Sequence, residues 1–479
     1  MGNDRGVTVK YMKQKIIVFI GPLLFLLCYL PFCGTESANM WAAIGTVAWM
    51  AFWWITGAVD FAVTAFLPIA INALLQITDM SAVIANYASE TILLLLGASI
   101  LTASWDETGL DKRIAAKFLS LVGSNVKTQI VFWYILCAIL SAILPNVVVC
   151  AAITPIAVSM LKYVGEKDIA KSKVGSLILL TIAYAVGVGG LASPLGGAMN
   201  LVTVDYIEQI TGEEFMYLAW VIRFLPLTIV LVVSNIIFLL LFVKKKQELG
   251  GSREYFIQQY KSMPPVKREE IFSLGLFLLA TLLSFTRELY KNQLPGLKPA
   301  YVFIICAIIS FFITSKDGKK VMSWSSVQKK ISWDLMYVFA GGLALGTLIN
   351  ASGAAKKIGE LVASADLKGG FLLVIIIVTM TVLMSDVTSN TATAAVAIPI
   401  VISIVEGLGE NPIPYIYIAS IGVNLSYMLP TSIRAIPVGY GLEPKYMLKK
   451  GIPMTIMVIT LMSITAYLLM KFWPAFSTV

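Results

Sequence analysis

Apolar runs recur along the whole chain, at 16–33, 41–58, 61–76, 91–105, 128–163, 174–204, 219–243, 270–286, 299–315, 334–351, 369–406, 413–440 and 452–473. A transmembrane helix needs about 20 predominantly apolar residues. Within lipid, only helices and closed barrels satisfy every backbone N–H and C=O. The pattern therefore predicts an all-α polytopic membrane protein with ten or so spans. Charge content agrees: 13% of the 479 residues are charged, about half the usual share in soluble domains.

The same composition closes off several chemistries. The chain has no histidine, which excludes Ser-His-Asp hydrolases and the H-E-x-x-H metalloprotease site. Cys28, Cys33, Cys137, Cys150 and Cys306 show no C-x-x-C spacing, so no disulfide framework or metal site is read from them, and no cofactor is expected. The formal net charge is +9. The basic residues sit in short loops between apolar runs, where they read as a topology signal and not as a nucleic-acid surface.

Loop charge gives the expected sidedness. Lys10, Lys13 and Lys15 precede the first run, which places the N-terminus in the cytoplasm. Segments 108–127 and 162–173 are lysine-rich and read as cytoplasmic; 34–39 and 77–90 carry no Lys or Arg and read as external. The loop with Asp205, Glu208, Glu213 and Glu214 reads as external. Lys244, Lys245 and Lys246 bring the chain back inside. The polar stretch 247–269 reads as a cytoplasmic amphipathic connector between two halves, 1–246 and 270–479. Lys356 and Lys357 fall outside, against the rule. Glu107, Asp111 and Arg113 are expected on a solvated amphipathic helix.

Segment 128–163 has positive loops at both ends and Pro145-Asn146 near its middle, as expected of a hairpin that dips into the membrane and returns. Segment 369–406 has the same form, with its arms meeting at Thr388-Ser389-Asn390-Thr391. The two align at one offset: Asn146 with Asn390 (390 − 146 = 244), Pro155 with Pro399, Gly97 with Gly341, Gly109 with Gly353. By loop charge the copies point in opposite directions. Inverted repeats with broken helices meeting at mid-membrane are a common plan of secondary transporters. Helix N-termini exposed at such tips each carry roughly +0.5 of an elementary charge, which suits a carboxylate ligand. Two Gly/Pro-rich stretches, 187–200 and 428–437, should break further helices around the same place.

These residues resemble the divalent anion/sodium symporter family over nearly the whole chain. The resemblance implies eleven spans, two re-entrant hairpins, scaffold and transport domains, an elevator movement and a homodimer. It also implies di- or tricarboxylate substrates such as succinate, malate, 2-oxoglutarate or citrate. The family's substrate signature is intact at Ser389, Asn390 and Thr391. At the first tip only Asn146 survives; Pro145 and Val147 stand where the family has serine and threonine. Such tips supply sodium ligands in coupled members, so one sodium site is weakened and a residual one is expected near Asn390. The breaks contribute Gly196, Gly197, Thr431, Ser432 and Arg434 to the candidate substrate-binding set.

Arg434 departs most from the family pattern, falling where many members read Ala-Thr-Pro-Pro-Asn. A guanidinium in the membrane costs roughly 2.5–3.5 kcal/mol on insertion scales and marks a pathway or counter-ion. Two helix termini plus Arg434 give about +2 against a dicarboxylate. The expectation is therefore a sodium-independent carboxylate exchanger in the plasma membrane, with a sodium-coupled dicarboxylate symporter as the alternative. Asp386 is left out of the site, because a second carboxylate would repel the cargo. A channel would want a continuous polar lining, and an intramembrane aspartyl protease a G-x-G-D motif; neither is present.

Overall fold

The computed structural model describes residues 17–120, 123–166, 168–244, 247–354, 357 and 369–478. Of the charges used above for topology, Lys10, Lys13, Lys15, Lys245, Lys246 and Lys356 lie outside these. The described chain is helical, as its apolar runs dictate. Eight helices are long and apolar enough to cross a membrane by length and composition, and four shorter apolar helices accompany them.

The chain opens with α1 (Ile17–Phe32), α2 (Ala38–Thr56), α3 (Phe61–Leu75) and the long α4 (Met80–Thr108). The amphipathic α5 (Leu110–Leu119) follows. The first hairpin is α6 (Val126–Ile143) and α7 (Asn146–Tyr163). Asn125 starts it, its side chain accepting from the backbone N–H of Lys127 at 2.9 Å, as a cap should. It turns at Leu144-Pro145, where Leu144 is extended, the conformation a following proline imposes.

Next come α8 (Lys173–Gly190) and α9 (Ala198–Thr211), separated by the Gly/Pro-rich break. Each residue of α8 from Val174 to Gly190 is buried, and it packs against α6, α7 and α10 (Tyr217–Leu240). Small residues permit that closeness; in lipid, packing rather than hydrophobicity holds helices together. Ile222, Ile229, Val233 and Ile237 on α10 are exposed, as a lipid-facing stripe requires.

The connector contains α11 (Ser252–Lys261), which is docked and not free. Gln129 Nε2 donates to Ser252 Oγ at 2.9 Å, and Phe256 meets Trp133 edge-on. Its last two residues belong to α12 (Arg268–Phe285). The expectation of a solvated Glu107, Asp111 and Arg113 needs correction. Arg113 forks onto Glu270 of α12, whose side chain is 2% exposed, and Glu107 accepts from Lys330 at 2.7 Å. Arg113 thus docks α5 against α12, while Lys112 and Lys117 of α5 stay exposed.

The second half continues with α13 (Pro299–Ser310) and α14 (Trp333–Ala351). The second hairpin is α15 (Phe371–Val387) and α16 (Asn390–Gly407). After α17 (Pro412–Asn424) the chain unwinds, then forms a 3₁₀ turn Ser432–Arg434, a short α18 (Ala435–Gly439) and the long α19 (Pro444–Phe472). Pro155 and Pro399, the repeat-matched prolines, both lie inside the return arms of their hairpins.

Candidate functional site

The two hairpin tips present the N-termini of α7 and α16, whose first-turn N–H groups have no intrahelical acceptor. Ser389 caps α16, its Oγ accepting from the backbone N–H of Ala392 at 3.1 Å. Pro145, at the matching place on α7, gives no side-chain cap.

Arg434 lies at the second tip. It is 1% exposed, among the largest fully buried side chains. Nη1 donates to Asn390 Oδ1 at 3.4 Å and Nη2 to the Asn424 carbonyl at 3.3 Å, while Nε has no partner. A guanidinium has five N–H donors, so this one is under-satisfied. Space for it comes from Gly187 on α8, where a Cβ would overlap Nη2. Asn390 Oδ1 also accepts from Ser385 Oγ at 3.1 Å and Ser426 Oγ at 3.4 Å, and its Nδ2 has no partner. Thr391 is buried beside it.

The thread continues into the first half. Asn424 Nδ2 donates to Asn200 Oδ1 at 2.8 Å, and Asn200 Nδ2 donates to the carbonyls of Gly190 and Ser193 at 2.7 and 2.8 Å. The two breaks are thus joined by an asparagine pair. Gly196 lets the first break pack against α6 and α8: a Cβ there would stand 2.3 Å from the Gly190 carbonyl oxygen and 2.7 Å from that of Ser141. Gly197 precedes α9 in extended backbone. Ser432 is exposed and left-handed (φ 52°), whereas Thr431 Oγ1 donates to the Asp386 carbonyl at 2.9 Å.

Asp386 is fully buried. Its Oδ1 accepts from the backbone N–H groups of Tyr427 and Met428, both at 2.8 Å, which fastens the unwound segment after α17 to the hairpin. Its Oδ2 has no partner, and the carboxylate interacts electrostatically with Arg434. The charge count made from sequence omits it. With Asp386 ionised, two helix termini and Arg434 sum to about +1, not +2.

A cavity of about 620 Å³ adjoins the first tip, within the usual range for small-molecule sites. Pro145, Asn146 and Val147 line it, with Ser99, Thr102 and Ser159 among mostly apolar neighbours. Asp106, Asp111, Lys112 and Lys330 line it too; burial pushes the Asp111 carboxyl up. Ser389, Asn390, Thr391, Thr431 and Arg434 do not line this cavity. The structure therefore brings Asn390, Thr391 and Arg434 together in a buried cluster, and Pro145, Asn146 and Val147 together at a cavity. Gly190 links the two, lying near Asn146 and bonded to Asn200.

Chemically, the cluster offers two buried donors without partners, Arg434 Nε and Asn390 Nδ2, and two buried acceptors without partners, Asp386 Oδ2 and Asn424 Oδ1. The donors suit a carboxylate and the acceptors suit a hard cation.

The family model described as citrate transporter matches residues 51–422. The chain belongs to the citrate transporter family. It is 29% identical over 447 residues to the sodium-dependent dicarboxylate transporter SdcS of Staphylococcus aureus (strain NCTC 8325 / PS 47), covering 89% of this chain and 85% of that protein. It is 27% identical over 474 residues to SdcS of Staphylococcus saprophyticus, covering 95% and 91%. Among solved structures it is similar to the YdaH transporter of Alcanivorax borkumensis (TM-score 0.53, 13% identity, 83% of this chain and 89% of that one). It is similar also to MtrF of Neisseria gonorrhoeae (TM-score 0.52, 12% identity, 81% and 83%). At those identities the likeness shows the fold alone. The chain is thus a multi-pass membrane transporter of that family, not an enzyme.

Sequence reasoning missed the roles of Asn200 and Asn424 and set Asp386 aside. An asparagine within a break and an acid three residues before a hairpin tip were the available signals.

Proposed function

We propose that the protein exchanges one di- or tricarboxylate for another, of the succinate, malate or 2-oxoglutarate type, without sodium. The observation that carries this is the position of Arg434. Its Nη groups take oxygens of the hairpin tip and of the helix break (Asn390 Oδ1 and Asn424 O), the kind of oxygens a coupling cation would need. Arg434 makes no ion pair within 4 Å among the described residues. It therefore keeps donors for an anion, and a guanidinium cannot give up its charge.

In this reading the carboxylate is held by Arg434, Ser389, Asn390, Thr391 and Thr431 on one side, and by Asn146 with the Pro145–Val147 backbone on the other. The hairpins and breaks travel together as an elevator, each half of a homodimer in the plasma membrane moving its own. By loop charge the N-terminus and the mouth of the cavity are cytoplasmic.

Counterflow in proteoliposomes tests the reading. Uptake of labelled succinate should need an unlabelled internal dicarboxylate, be unchanged when sodium is replaced by choline, and fall at least tenfold in Arg434→Gln. Uptake into empty liposomes driven by a sodium gradient would overturn it.

Sodium-coupled symport is the second reading, and one observation favours it. Asp386 Oδ2 and Asn424 Oδ1 are buried acceptors with no donor. With Asp386 ionised, a bound dicarboxylate leaves the site near −1, a deficit one sodium ion would fill.

A further inference from the structure

Where α10 ends and α19 begins, exposed lysines outnumber the exposed acid Glu443. Lys450 Nζ sits 3.4 Å from the centroid of the Phe242 ring and 5.8 Å from that of Tyr446. An aromatic face attracts an ammonium but does not neutralise it. Lys445 and Lys449 are exposed on the first turns of α19, and Lys244 is exposed just beyond Phe242. The loop carrying Ile169 and Ala170 lies against Gly441, which brings the exposed Lys173 to the same end. Asp168 of that loop is already held by Lys171 at 3.1 Å, leaving Glu443 as the exposed acid in the segment leading into α19. Among the described residues, Lys173, Lys244, Lys445, Lys449 and Lys450 form no ion pair.

The apolar surface begins immediately beside them. Leu241 is 73% exposed, Leu448 40% and Ile452 45%; in a membrane protein such residues face acyl chains. The lysines therefore stand at headgroup depth, where their stems follow hydrocarbon and their ammoniums reach phosphate. The N-terminus of α19 adds its partial positive charge at the same level. Basic pockets between membrane helices bind anionic headgroups by these forces.

We propose that the surface where the end of α10 meets the start of α19 is a binding site for the phosphate of an anionic phospholipid. Lys450 is fixed on Phe242 as its floor, and Lys445 and Lys449 close over the headgroup. This site is separate from the carboxylate cluster and does not depend on the transport mode proposed above.

The test uses the full chain in nanodiscs of equal parts phosphatidylcholine and phosphatidylglycerol, followed by native mass spectrometry of retained lipid. The wild type should retain phosphatidylglycerol in preference. The variant Lys445→Gln/Lys449→Gln/Lys450→Gln should lose that preference, roughly fivefold for each lysine removed. The matching triple arginine variant, which keeps the charge and guards against a folding defect, should hold it. Equal retention by wild type and glutamine variant would overturn the proposal, as would loss in the arginine variant. Displacement of the lipid by inorganic phosphate would make this a soluble-anion site and overturn the lipid assignment.

Discussion

Gly187→Ala separates the position of the Arg434 guanidinium from its presence. The added Cβ would stand 3.2 Å from Arg434 Cζ and overlap Nη2, against an ordinary carbon contact of about 3.5–4.0 Å. The end of a long side chain can yield, so Nη2, which the Cβ would meet at 2.4 Å, should retreat by about 1 Å. Folding should hardly suffer: alanine is favoured over glycine inside a helix by about 1 kcal/mol, which offsets the adjustment. Binding should suffer, because a charge-assisted hydrogen bond contributes about 1.5–3 kcal/mol. Losing one such bond to the cargo raises KM roughly 10- to 150-fold. The assay is counterflow of labelled succinate in proteoliposomes, paired with thermal unfolding of the same preparation. An unchanged KM in a protein of unchanged Tm would refute the claim that this guanidinium touches the carboxylate.

Two further substitutions probe the surroundings. Asp386→Asn keeps an oxygen for the Tyr427 and Met428 N–H groups and should fold normally, whereas Asp386→Ala leaves both buried and unpaired and should lower stability by about 2–6 kcal/mol, at 1–3 kcal/mol per group; equal Tm values for the two variants would show that the carboxylate does not fasten the break. Arg113→Gln should strand Glu270 as a buried charge and cost about 3–5 kcal/mol, with Glu270→Gln in the same chain restoring much of it; a double variant no more stable than the single would count against the ion pair.

Much of the fold is legible in the sequence because lipid allows few solutions. The hairpin arms fall within a few residues of the apolar runs that predict them, and Asn390 and Arg434 share a cluster as their motif and charge imply. What escapes is three-dimensional bookkeeping. Asp386 looks repulsive to an anion when only composition is considered. In space, its Oδ1 is occupied by backbone donors from a segment some forty residues later in the chain. The asparagine pair 200 and 424 is invisible for the same reason, since neither side chain belongs to a repeat-matched position. Arg113 looks solvated because α5 is amphipathic, and its polar face meets a buried glutamate that no local pattern announces.

The contrast between the two tips has a consequence of its own. One asparagine borders a cavity while its repeat-matched twin is packed in protein, so a motif duplicated in sequence adjoins open space in one copy only. Under the proposed exchange, an arriving carboxylate would meet Asn146 first and reach Arg434 only after rearrangement. Admission and recognition are then distinct events in time. On that proposal the cation that recognises the cargo stands behind the first tip, while the entrance carries charges of both signs, Asp106, Asp111, Lys112 and Lys330.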